Sequence, residues 1–395
     1  MAADVELTGR IKAHARAVGF DVVGVARALP FEDDRRVTRE RIAAGHYDGL
    51  PWFTPERADF SSDPRNLLPT ARSIVSLAMS YRPDGEIPTS IPGTPRGRVS
   101  AYAWGRDYHA VLKGRMEEVV AFIREACGSE QEARTLVDTA RILDRAAARR
   151  AGVGWVGKHT NVITKDAGSW VFLGEILTEL DLVSDEPLRT HCGSCDLCLR
   201  ACPTGAIVAP YVVDSNRCIS YLTIEHRGVI PRELRAPMGA WIFGCDVCQE
   251  VCPPNQRPGA PARDEFRPNP TAVSAVGDDG SFAAPELVPL LSISPEEFSR
   301  RFGKTPIKRA KREGLQRNVA IALGNSGDRA AVPALARALR EEGALVRAHA
   351  AWALGRLGGD DAIEALRAAQ ETETDDVARE EITAALDMAR PSMTY

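Results

Sequence analysis

The chain has 395 residues, 44% of them hydrophobic, and its 50 basic and 54 acidic side chains give a net charge of -4. This length exceeds what one core usually sustains, so two or three domains are expected; the acidic balance excludes a generally basic nucleic-acid binder and leaves any RNA contact to a local patch. The first residues show no basic stretch leading into an apolar core, and no run approaches the roughly 18 apolar residues of a membrane span, so a cytoplasmic protein is expected.

Taken in order, Val5, Leu7, Ile11, Ala15 and Val18 recur at helical spacing and predict a helix closed by Gly19. Strands are predicted over 20–26, 73–79 and 170–173, with helices over 108–126 and 144–151. Helix and strand alternating to about residue 183 read as one α/β domain. Cys127, with no partner motif, reads as a bland packed residue.

The stretch 152–158 carries two phosphate-like patterns that both fail on context. Gly152, Gly154 and Gly157 satisfy G-x-G-x-x-G, but a helical stretch precedes them where a strand is required. Gly152 through Lys158 reads G-x4-G-K, yet His159 stands where magnesium binding needs Ser or Thr. These glycines fit a backbone that must come close to something large and flat.

From Cys192 the spacing becomes specific. Cys192, Cys195, Cys198 and Cys202 form a C-x2-C-x2-C-x3-C-P run, and Cys245, Cys248 and Cys252 a C-x2-C-x3-C-P run preceded by a solitary Cys218. Eight thiolates suffice for two 4Fe-4S clusters, and the fourth Cys of such a run serves the other cluster. Crossed ligation is therefore expected, with Cys192, Cys195, Cys198 and Cys252 on one cluster and Cys202, Cys218, Cys245 and Cys248 on the second. Zinc sites usually show paired C-x2-C knuckles, and disulfide frameworks belong to small secreted chains.

Residues 257–285 are rich in Pro, Gly, Ala, Asp and Asn and read as a loose connection. Beyond it, Asn318 to Gly324 and His349 to Gly355 align at a 31-residue offset, and a degenerate third copy begins near Val377. Such Ala-rich helix pairs resemble HEAT-like repeats, which bury their apolar faces only against neighbours, so the module should dock on what precedes it. Lys304, Lys308, Arg309, Lys311, Arg312 and Arg317 against Glu313 make a local charge of +5 at its opening. Lys308, Arg309, Lys311, Arg312 and Arg317, with Arg227, are the candidates for RNA phosphate contacts.

Several stretches together carry a family resemblance. Gly49 to Phe53 with Arg57, Tyr102 to His109, Val137 to Ala140, Gly154 to Asn161, Gly168 to Glu175 and Glu225 to Gly228 resemble epoxyqueuosine reductase, and the likeness extends over the double-cluster region and the helical tail. The resemblance implies an α+β multidomain protein: a nitroreductase-like α/β cobalamin-binding domain over 1–183, a ferredoxin-like domain with two 4Fe-4S clusters over 184–256, a connection over 257–300, and HEAT-like repeats over 301–395. It implies reduction of the epoxide of epoxyqueuosine at the wobble position of tRNA to give queuosine, using cobalamin and an unidentified electron donor, by a monomer. A reductive dehalogenase-like corrinoid enzyme, which typically carries an export signal, and a non-catalytic electron carrier are the rival readings.

The same resemblance makes Asp138, not Asp144, the acid that protonates the opened epoxide, alongside its reading as a helix N-cap. Acting so near neutral pH would require burial that raises its pKa from about 3.9. For the cofactor pocket the resemblance brings forward Arg57, Asp138, Lys158, His159, Val162, Leu173 and Ser220. Asp107 and His109 are followed by Leu112 where a D-x-H-x-x-G cobalt motif needs Gly, so no protein histidine is expected to bind cobalt through that motif.

Overall fold

The computed structural model describes residues 4–83, 94–128, 131–257, 259–268 and 283–389. About half of the expected loose connection, residue 258 and 269–282, lies outside the described residues. The chain divides into two compact units, one of 1–84, 106–216 and 246–267, the other of 85–105, 217–245 and 268–395.

The first unit is built on a four-stranded sheet. Helix α1 (Val5–Ala17) is capped by Asp4, whose carboxylate accepts from the Leu7 amide at 2.8 Å. Strands β1 (Val22–Arg27) and β2 (Ser73–Ser80) follow, then helix α2 (Tyr108–Cys127), β3 (Ala133–Leu136), helix α3 (Asp144–Arg150) and β4 (Val171–Thr178). The sheet order is β1-β2-β4-β3, and every neighbouring pair is antiparallel. This corrects one detail of the sequence reading: helix and strand do alternate, but no parallel crossover joins these strands, so the layer is of the α+β kind.

Both faces of the sheet are covered, which is why all eight residues of β2 are buried. On one face Gly174 meets Met116 of α2, and a Cβ at that glycine would stand 3.0 Å from the Met116 sulfur. On the other lies α3, whose Ala147, Ala148 and Ala151 are at most 1% exposed. That helix sits so close that a Cβ on Gly24 of β1 would come 2.0 Å from the Ala151 carbonyl oxygen.

The second unit is dominated by paired helices, among them α4 (Arg312–Ser326), α5 (Ala344–Leu357) and α6 (Asp376–Ala389). The 31-residue offset has a physical basis at Gly324 and Gly355. A Cβ on the first would lie 2.9 Å from Ala353 Cα, and on the second 2.8 Å from Ala385 Cα, so only glycine lets successive helices approach this closely. Repeat-equivalent polar residues point the other way, into 217–245. Asn318 donates to the Thr223 and Ile242 carbonyls at 2.9 Å, and His349 Nε2 accepts from the Ile230 amide at 3.1 Å. One repeat further, buried Glu381 holds Arg235 through two bonds of 2.8 Å.

Candidate active site

Asp138 sits just past the end of β3 with φ +34°, a left-handed backbone conformation uncommon for a residue with a side chain. Thr160 is left-handed too, at φ +69°, and for a β-branched residue that is an outlier of the kind that clusters at functional sites. Arg145 of α3 joins the two loops, donating to Thr160 O at 3.3 Å while its charge acts on Asp138.

The Asp138 carboxylate is 55% exposed and meets the start of α2. Tyr108 donates its hydroxyl to Asp138 Oδ2 at 2.5 Å, and His109 Nε2 lies 3.5 Å from the same oxygen. Asp107, the N-cap of α2, accepts from the His109 amide and holds His109 Nδ1 at 2.8 Å. An imidazole flanked by two carboxylates is stabilised as the cation, and His109 is raised to about 9, first by Asp107 and then by Asp138. Burial pushes the Asp138 carboxyl up, but His109 and then Tyr108 outweigh it and hold the group below the ordinary carboxylate range. The expectation of an Asp138 carboxyl raised by burial is therefore corrected: its neighbours hold it down, and it is the adjacent imidazole that is raised.

An aromatic floor lies under this corner. Tyr108 stacks on Phe172 at 4.4 Å with the rings 6° from parallel, and Phe172 also meets Tyr81 at 4.5 Å and Phe266 at 4.7 Å. Beside it, the two-stranded hairpin of Trp155–Val156 and Val162–Ile163 carries His159 and Val162, both buried. His159 is 4% exposed; burial, then the Arg145 charge, lowers it to about 4, so the ring is neutral. Its Nδ1 accepts from the Asn161 amide, and its Nε2 and the Trp155 Nε1 are buried without a protein partner among the described residues. Neutral unpartnered donors suit a large ligand edged with amide groups, as a corrin is.

The remaining expected pocket residues are dispersed in role. Arg57 is half-buried in the helix Pro55–Ser61, Leu173 is half-buried on β4, and Ser220 belongs to the other unit, on the helix Ile219–Ile224. Lys158 does something the sequence did not announce. Its ammonium donates to the Gly193 and Cys195 carbonyls at 2.8 and 2.7 Å, clamping the first cysteine turn.

In that turn Cys192, Cys195 and Cys198 face Cys252. The Cys252 thiol is pushed up to about 12, first by burial and then by the negative charges of Cys192, Cys198 and Cys195 around it. Cys198 is raised too, first by burial and then by Cys192, so two buried thiols beside two more form a donor set awaiting positive charge, which fits a cluster. No three His, Cys, Asp or Glu side chains converge closely enough to hold a single ion among the described residues. A four-iron cage spreads its thiolates over separate corners, unlike one zinc with bonds of about 2.3 Å. The second run is braced by a buried amide network: Gln249 Oε1 accepts from Ser169 Oγ at 2.8 Å, and Asn255 Oδ1 accepts from the Ser169 amide at 2.7 Å. Of the other four cysteines, Cys202 and Cys248 lie in the first unit and Cys218 and Cys245 in the second.

Among the expected RNA contacts, Lys308, Arg309 and Lys311 are exposed, Arg312 is half-buried, and Arg227 is half-exposed with its guanidinium on the Arg309 and Ala310 carbonyls. Arg309 also pairs with Glu225. Arg317 is a correction. It is 1% exposed and donates to the Leu222, His226 and Gly228 carbonyls, so it is a structural clamp with no face left for phosphate.

Sequence reasoning weighed Asp107 and His109 only as a cobalt-binding motif and passed over their pairing with Tyr108, Arg145 and Asp138. The first three stood in a quoted stretch and carried a visible signal, three adjacent polar residues at a helix start.

Three family models match the chain: "Epoxyqueuosine reductase QueG, DUF1730" over 62–139, a 4Fe-4S double cluster binding domain over 191–255 and HEAT repeats over 307–387. The epoxyqueuosine reductase of Bacillus cereus is 34% identical over 385 residues, covering 97% of each chain. That of Xanthomonas campestris is 38% identical, covering 89% of this chain and 97% of its own. A crystal structure of an epoxyqueuosine reductase with an epoxyqueuosine-modified tRNA-Tyr stem loop superposes with a TM-score of 0.89 at 33% identity, over 97% of this chain and 99% of that one. A structure of the Bacillus subtilis enzyme with its catalytic aspartate loop swung out of the active site matches at a TM-score of 0.88 and 32% identity, over 98% and 99%. With relatives above 30% identity spanning nearly its whole length, this chain belongs to the epoxyqueuosine reductase family.

Proposed function

We propose that this protein reduces the epoxide of epoxyqueuosine at the wobble position of tRNA, giving queuosine in the last step of its synthesis. The observation that carries this reading is the end-to-end match to relatives of that name, one of them solved with the modified stem loop, on a chain that keeps an acid at Asp138 and eight cysteines in the double-cluster pattern. In this reading 1–183 is a nitroreductase-like domain for cobalamin, 184–256 holds two 4Fe-4S clusters with crossed ligation, 257–300 connects, and 301–395 helps hold the RNA. It works as a cytoplasmic monomer, fed by an electron donor of unknown identity. Cys192, Cys195, Cys198 and Cys252 would hold one cluster; Cys202, Cys218, Cys245 and Cys248 the other; Arg57, Asp138, Lys158, His159, Val162, Leu173 and Ser220 would surround the corrin.

When bound, cobalamin and the two clusters supply electrons to the strained epoxide. The chain's own residues manage the protons. Asp138 presents Oδ2 to the oxygen that gains negative charge as the ring opens. His109, cationic near neutral pH, holds its Nε2 3.5 Å from Asp138 Oδ2, and Tyr108 fixes the carboxylate's orientation. Asp138 and His109 thus act as a pair sharing one proton, and the left-handed turn at Asp138 aims the carboxylate away from its own strand. Lys158 fixes the first cysteine turn against the hairpin that carries His159. Lys308, Arg309, Lys311, Arg312 and Arg227 offer cationic groups to the RNA backbone.

Mass spectrometry of tRNA from cells lacking this protein tests the reading directly. Epoxyqueuosine should accumulate and queuosine disappear; unchanged queuosine refutes it.

A further inference from the structure

Cys218 and Cys245, the two cysteines of the second unit, belong to one 4Fe-4S cluster in the proposed function, on which this inference rests. Each adjoins an element too short to hold its own place. Cys218 is the N-cap residue of the helix Ile219–Ile224, six residues long, and its carbonyl accepts from the Leu222 amide at 2.9 Å. Cys245 follows the three-residue strand Trp241–Phe243 after a single glycine. So short a helix is marginal without outside contacts, because nucleating it costs more than its few bonds return.

The outside contacts come largely from α4, in the repeat module. The last carbonyls of the short helix are each taken by a side chain: Leu222 by Arg317 at 2.7 Å, Thr223 by Asn318 at 2.9 Å and Ile224 by Arg227 at 2.9 Å. Asn318 does more than its neighbours. The same amide nitrogen donates to the Ile242 carbonyl at 2.9 Å, so one side chain is bonded both to the helix that starts at Cys218 and to the strand that leads into Cys245. Its oxygen accepts from Arg317 Nε and Nη2 at 3.1 and 2.9 Å, which fixes the plane of the amide and fills its hydrogen-bonding positions. Asn318 is 0% exposed, and a buried network satisfied in this way specifies a single arrangement.

Thr223 makes the same link from the other side. Its hydroxyl donates to the Ile219 carbonyl at 2.7 Å and accepts from the Gly244 amide at 2.9 Å. Ile219, next to Cys218, is thus joined through one oxygen to Gly244, next to Cys245. Gly244 is left-handed at φ +68°, and a Cβ there would stand 2.5 Å from Ser100 Cβ, so the turn into Cys245 is closely confined.

We propose that Asn318 is a positioning residue for the second cluster: with Thr223 it holds Cys218 and Cys245 at a fixed separation, so that the repeat module serves the metal centre and not the RNA alone. Fastening α4 in place does not by itself call for this bridge. Gln316 on the same helix is also 0% exposed and donates to the Leu291 carbonyl at 2.7 Å, a bond that lies apart from both cysteine segments.

The test measures iron content and electron paramagnetic resonance of the full-length protein reconstituted anaerobically with iron and sulfide. The wild type should hold about eight irons and, when reduced, give about two cluster spins per chain. Asn318→Asp keeps an oxygen for Arg317 and deletes both donations; it should hold about four irons and give about one spin, with its helical circular dichroism retained. Gln316→Leu removes a buried bond elsewhere on α4 and should keep the wild-type iron content and spectrum. Asn318→Asp with the full iron content and an unchanged spectrum overturns the proposal, and so does an equal loss of iron in Gln316→Leu, which would mean general instability. Should Asn318→Asp fail to fold, Thr223→Val takes its place with the same expected loss. A further arm needs no variant: after chelation of iron from the wild type, amide exchange over 219–244 should stay slow, because hydrogen bonds and not the metal fix these segments. Exchange there at the rate of an unfolded peptide overturns the proposal. None of these measurements involves tRNA, so failure here is distinguished from failure of the functional reading.

Discussion

Tyr108 donates its hydroxyl to Asp138 across 2.5 Å, tying the first turn of α2 to the left-handed loop after β3. The bond favours the ionised carboxylate, so its removal has a definite sign. Tyr108→Phe should raise the Asp138 carboxyl and shift the limb of the pH-rate profile that reports it to higher pH. Asp138→Asn, which keeps shape but cannot exchange the proton, should lower turnover by about 10²- to 10⁴-fold with cobalamin still bound. Full activity in Asp138→Asn would move the acid elsewhere.

The thiols around Cys252 give a second expectation. Purified anaerobically, the protein should contain about eight irons per chain, and Cys252→Ala should reduce this to about four. Cys127→Ala, at a site with no cluster motif, should leave the iron content unchanged. Iron analysis with zinc measured alongside decides it, because stoichiometric zinc in place of iron would abolish the electron relay.

Glu175 gives a stability prediction with its sign fixed by linkage. Below its ordinary value of 4.5 the carboxyl is protonated in the folded and the unfolded chain alike. As pH rises past that value the unfolded chain gives up the proton while the folded one keeps it, so stability falls until the raised folded value is reached. The slope is about 1.4 kcal/mol per pH unit for one proton. Melting temperatures taken between about pH 5 and about pH 8 should therefore fall less steeply in Glu175→Gln than in the wild type. Parallel curves would mean that Glu175 is ionised in the folded protein.

How far the sequence could be read follows from which constraints are local. Val5 to Ala17 forms the expected helix because its period and the Asp4 cap are both written in adjacent residues. Gly324 and Gly355 disclosed the repeat because close helix contacts require glycine at a fixed interval. The two cysteine runs were legible for the same reason: ligand spacing is a local property. Strand direction was not, since it depends on how long connections travel, and the alternation of helix and strand that read as an α/β domain leaves it open. Nor was the state of Asp138. Its pKa depends on His109, 29 positions earlier in sequence and 3.5 Å away in space.

The basic run shows the same limit and yields the last prediction. Its six cations look equivalent in sequence, but α4 begins at Arg312 and turns Arg317 inward, where three carbonyls take its donors. Burial lowers Arg317 to about 9, which still leaves it charged near neutral pH and committed to those carbonyls. Arg317→Ala should orphan all three and cost about 3 kcal/mol or more in stability. Lys308→Gln with Lys311→Gln, on exposed side chains, should leave the melting temperature within about a degree or two and weaken tRNA binding instead. Each lost phosphate contact should reduce the slope of log affinity against log salt by about 0.7 to 0.9. Binding measured across a salt series separates the two roles: an unchanged slope in the double lysine variant would return that run to an ordinary solvated face, and a folded, fully stable Arg317→Ala would contradict the clamp.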